Sequence, residues 1–106
     1  MDKRNIGRFD VPIKLVDDHP NLIARIFAKL KVVPVRVEAM YLENVIEYVA
    51  LSKFFPTRTL GELIPDYKLN IQQRRSGSVF VTMVCLTDNI TYFEASFSSD
   101  HKPQTL

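Results

Sequence analysis

The nineteen residues VFVTMVCLTDNITYFEASF (79–97) constrain the fold more than any other stretch of this chain. Read as strand, turn and strand, they are apolar on both faces. Side chains alternate along a strand, so a strand lying on a single core needs only one apolar face. A chain of 106 residues suits one domain with one core. One of the two apolar faces therefore needs a second cover.

The neighbouring residues extend this pair into a meander. Tyr67, Leu69 and Ile71 alternate with Lys68, Asn70 and Gln72, the pattern of a half-buried strand. Centring one turn on Arg75-Ser76 and the next on Asp88-Asn89 places Ile71 beside Phe80 and Phe80 beside Phe97. Those registers predict a core face of Tyr67, Leu69, Ile71, Phe80, Val84, Leu86, Phe93 and Phe97. They leave Val79, Val81, Met83, Cys85, Ile90 and Tyr92 on the opposite face, with Cys85 paired to Tyr92. A contiguous apolar patch on a small protein marks an interface. The cover could be the N-terminal strand, the Phe54–Ile64 loop or another molecule; with the first two at the rim, Val81, Met83, Cys85 and Tyr92 are the expected binding residues, for a second copy in a homodimer or for another protein.

Upstream, VPVRVEAMYLENVIEYVALS predicts a hairpin turning at Glu43-Asn44. Val37, Ala39, Tyr41, Ile46, Tyr48 and Ala50 then share the core face. Arg36, Glu38 and Glu47 share the mixed face with Met40, Val49 and Leu51. In DDHPNLIARIFAKLK, Leu22, Ile26 and Leu30 are spaced by four beside Ile23 and Phe27, which predicts a helix at about residues 20–31. Asp17 or Asp18 can cap it and Pro20 suits its first turn. Phe9–Val16 reads as a first strand, at an edge or partly irregular because Pro12 lacks a ladder donor. Thr59 and Glu62 have capping-box spacing for one helical turn over Leu60–Ile64. The expected fold is α+β: a five- or six-stranded, mostly antiparallel sheet with one main helix, in one domain over residues 1–100. Residues 101–106 read as a flexible tail.

Composition narrows the function. Fourteen basic and twelve acidic residues give a net charge of +2, too balanced to imply nucleic acid by itself. The single cysteine excludes an internal disulfide and a cysteine metal cluster. Cys85, between Val84 and Leu86, reads as a buried structural thiol. His19 and His101 are far apart and form no metal pattern. No stretch approaches the ~20 apolar residues of a membrane span, and MDKRNIGRFD lacks a secretory apolar run. The expected location is cytoplasmic, away from membranes. Glu38 and Glu47 could serve acid–base chemistry, but pairing with Arg36 accounts for them as well. No Gly-rich phosphate loop, nucleophile triad or zinc spacing is present, so neither an enzyme nor a cofactor is expected. Arg74 and Arg75 at a hairpin tip, with Lys68, are the best candidates for polar contact with phosphates or an acidic partner.

Two further stretches carry a resemblance. Ala50-Leu51-Ser52-Lys53-Phe54-Phe55, followed by Gly61-Glu62-Leu63-Ile64-Pro65-Asp66-Tyr67, resembles small accessory proteins of tailed bacteriophages. The likeness spans residues 36–72 and rests on structural residues, so no site residue carries over. It implies a compact protein that binds and inhibits a host component, including one of antiviral defence, in the host cytoplasm. The expected function is accordingly a non-catalytic protein-binding module. The alternative is a small nucleic-acid binder using the Arg74/Arg75 tip.

Overall fold

The computed structural model describes residues 3–59 and 63–98. Its order is β1 (Lys3–Pro12), α1 (Ile13–Asp18), α2 (Pro20–Leu30), β2 (Val33–Met40), β3 (Val45–Leu51), β4 (Thr57–Thr59), β5 (Tyr67–Gln73), β6 (Ser78–Cys85) and β7 (Thr91–Ser98). The class is α+β, as expected, but seven described strands form two sheets rather than five or six forming one, and two short helices stand where one main helix was expected. The first has the order β2-β3-β1-β4 and the second β5-β6-β7, with every ladder antiparallel. Among the described residues, a parallel bridge from Arg8 to Asp66 joins them.

β1 is central in its sheet, not at an edge. Pro12 is its last residue, where the missing donor matters least, and its φ of −59° suits entry into a helix. The chain therefore turns into α1 at Ile13, where the first strand had been expected to run on to Val16. Ile13 N–H donates to Asn44 O at 2.9 Å. His19, rather than Asp17 or Asp18, precedes α2, with Pro20 in the first turn. The apolar stripe of α2 behaves as its spacing predicts: Leu22, Ile23, Ile26 and Leu30 are buried. Phe27 is half-buried and meets Phe9 and Tyr48 edge-on at 5.8 and 4.9 Å, so α2 covers the Phe9–Tyr48 face of the first sheet. Lys31 ends the helix in the left-handed conformation, φ 57°.

One continuous core joins α2, both sheets and Phe55. Its second-sheet face differs from expectation. β6 turns Val79, Val81, Met83 and Cys85 inward, while Phe80 and Val84 lie half-exposed on the outer face and Leu86 is exposed. The cause is turn length. Arg74 N–H donates to Ser78 O across three residues, with Gly77 at φ 91°. A three-residue turn of this kind needs a left-handed glycine position. It pairs Ile71 with Val81 rather than Phe80. A shift of one residue exchanges the faces of a strand. The expected one-turn helix over Leu60–Ile64 falls largely outside the described residues, as does the 101–106 tail.

Candidate binding surfaces

The structure places Val81, Met83 and Cys85 at 0% exposure in the protein's own core. Tyr92 is half-buried and meets Tyr67 edge-on at 5.8 Å. These four residues are therefore not a free stripe awaiting a partner; the second cover they needed is supplied by the same chain. Nor is Cys85 paired with Tyr92. The register of β7 shifts between Phe93 and Thr91, and Cys85 N–H donates to Ile90 O at 2.9 Å. The reading of Cys85 as a buried free thiol agrees with the structure.

The outer face of the second sheet carries the basic candidates. The guanidinium of Arg74 lies 4.4 Å from the centre of the Phe80 ring, and Arg75 is exposed beside it in the turn. Asn70, Gln72 and Thr82 surround Phe80 in a shallow hollow of about 250 Å³. Lys68 does not join this group. It pairs with Val84 at the far end of β5, six residues from Arg74, roughly 20 Å along the strand. Glu94, opposite Thr82, adds a negative charge to the same face. The expected basic cluster is thus split into a tip and a separate lysine.

The surface that sequence reasoning missed is the β2 edge. β2 closes one side of the first sheet and leaves Val33, Val35 and Val37 exposed by 59%, 59% and 52%. The turn that follows exposes Tyr41 and Leu42 by 78% and 96%. Val37 had been expected in the core, but it lies beyond the cover given by α2. The signal was present in PVRVE: a proline among alternating apolar and charged residues marks an edge strand.

The face of this sheet away from α2 carries an unusual charge pattern. Asp10 pairs with Glu47 and Glu47 with Glu38, so three carboxylates form one row that ends at the open edge. The next row is Arg8, Val49 and Arg36. Arg36 reaches Glu47 at 3.4 Å, the ion pair expected of it. Arg8 Nε donates to Asp66 Oδ1 at 2.6 Å, and that hydrogen bond, before the surrounding carboxylates, raises the pKa of Arg8. Burial raises that of Tyr48. Asp88 is held below the usual carboxylate range, first by the Ile90 N–H and then by the Tyr92 hydroxyl, which donate to it at 2.9 and 2.8 Å.

Among the described residues, no group of three or more His, Cys, Asp and Glu is placed to hold a metal ion. No described helix is long and apolar enough to cross a membrane. No family model, curated protein or solved structure matches the chain.

Proposed function

We propose that this protein is a non-catalytic protein-binding module that engages its partner along the β2 edge and the β2–β3 turn. The observation that carries this reading is the run of exposed Val33, Val35, Val37, Tyr41 and Leu42 on one open sheet edge. An open edge offers unpaired N–H and C=O groups to an added strand. Flanking apolar side chains and an exposed tyrosine supply the area that anchors such contacts. Together with the resemblance to phage accessory proteins, this reading extends to blocking a host component. The test is affinity capture from a lysate of the source organism with the wild type and with Val35→Lys/Tyr41→Ala/Leu42→Ala. The variant is expected to melt like the wild type and to lose the captured protein. Equal capture by both overturns the reading.

A second reading rests on Arg74 stacked over Phe80 beside Asn70, Gln72 and Thr82. An aromatic ring with a guanidinium and amides can hold an unstacked base. It requires binding of a single-stranded oligonucleotide that weakens steeply with salt and is lost in Phe80→Ala.

A further inference from the structure

We infer that the β2 edge pairs with a second copy of itself, antiparallel, about a two-fold axis through Val37. This rests on the protein-binding reading of that edge and names its occupant.

The sequence of the edge is self-complementary about Val37. An axis there sets Arg36 opposite the second copy's Glu38, and Glu38 opposite the second copy's Arg36. Val37 meets its own counterpart, and Val35 meets Ala39. Val37 thus gains an apolar neighbour, and Arg36 and Glu38 each gain an opposite charge. A two-fold axis perpendicular to the sheet keeps both α2 layers on one side, which requires a residue of β2 on the axis. Moving the axis to Arg36 sets two arginines against each other, and moving it to Glu38 sets two glutamates together. Like charges directly opposite are unfavourable. Val37 is the axis that the charges select.

The interior of the sheet supports the same choice. Within one chain Glu38 faces Glu47, with Asp10 beyond it. The guanidinium of Arg36 points to Glu47 instead. Pairing continues the carboxylate row Asp10–Glu47–Glu38 into the second copy's Arg36 and Arg8, so a row of like charge becomes a row of mixed charge. Pro34 and the register shift between Pro34 and Arg36 interrupt the edge at one end. Regular pairing is confined to Arg36, Val37 and Glu38, so the interface is small and the dimer weak.

The test is sedimentation across a concentration series with wild type, Glu38→Arg, Arg36→Glu and the double exchange Arg36→Glu/Glu38→Arg. The wild type is expected to dimerise reversibly at high concentration. Either single reversal should weaken the dimer about tenfold or more, because two attractive pairs become repulsive. The double exchange should restore it, and the two single variants mixed should form a heterodimer. Glu38→Arg separates association from folding, because it puts a cation opposite Glu47 within the chain. Its melting temperature should hold or rise while its dimer is lost. A wild type that stays monomeric, or a dimer indifferent to both reversals, overturns the inference. If self-association fails but hairpin variants still lose a captured protein, the module reading stands without it. If hairpin substitutions change neither association nor capture, both fall.

Discussion

At Gly7 a single hydrogen atom decides how closely the two sheets approach. A Cβ built there would lie 2.7 Å from the Tyr67 ring and 3.0 Å from Phe55. Those rings stack at 4.6 Å directly over β1, next to the Arg8–Asp66 bridge. Gly7→Ala should force ring carbons in a packed core to move and cost about 1–3 kcal/mol, measured by chemical denaturation. Ser52 has a different task. Its buried hydroxyl donates to Leu30 O at 2.6 Å at the end of α2 and accepts from Phe54 N–H at 3.2 Å. Ser52→Ala removes both bonds in a dry site and should cost about 1–3 kcal/mol. Asp88 ties the β6–β7 turn through Ile90 and Tyr92, and these bonds favour its charged form. Its folded pKa lies below its unfolded one. The contribution is therefore complete above the unfolded value and is lost as pH falls through the lowered folded value. The Ile90 amide should lose its hydrogen-bonded chemical shift in that acid window, followed by NMR, and should lack it at neutral pH in Asp88→Ala.

Among the elements, what could be read from sequence depended on whether an error in turn length was odd or even. Glu43-Asn44 was expected to form a two-residue turn, but Tyr41–Asn44 forms the turn and Val37 pairs with Tyr48 instead of Ala50. That slip is two residues, so Val37, Ala39, Ile46, Tyr48 and Ala50 still share a face. The slips around β6 are single. Val81 pairs with Ile71 and with Ala95, where the expected partners of Phe80 were Ile71 and Phe97. The two single slips add to a shift of two residues between β5 and β7, so Tyr67, Phe93 and Phe97 still face the core and only β6 is reversed. Gly77 and Asn89, both at positive φ, were the residues that could have revealed these turns. α2 was legible because a helical stripe needs no partner to define its period. The β2 edge was signalled only by Pro34 within PVRVE, and the same proline signal at Pro12 misled, because β1 is central in the sheet order. The reversal of β6 has a measurable consequence. Met83→Ala should cost about 2–5 kcal/mol, whereas Phe80→Ala, on the outer face, should cost under about 1 kcal/mol. Paired thermal and denaturant melts of the two variants check this.

Over the whole molecule, two sheets of unlike construction share one core. The second is a meander, with each strand beside its neighbour in sequence. The first places β1, the earliest described strand, between β3 and β4, whose paired residues come from 33 positions later (Pro12 with Val45) to 56 positions later (Lys3 with Thr59). Sequence separation slows the formation of a contact, because the intervening chain must first be gathered in. The central position of β1 thus becomes a matter of timing. As the chain is made, residues 3–12 have no ladder partner until residues 45–51 exist. In refolding, the meander is expected to organise first and β1 to be inserted late. Val81→Ala should then slow folding, whereas Val11→Ala should mainly speed unfolding. Stopped-flow rates for the two variants would establish the order, and equal partition at both sites would show that the sheets form together. β1 would then be among the last parts of the protein to reach its place.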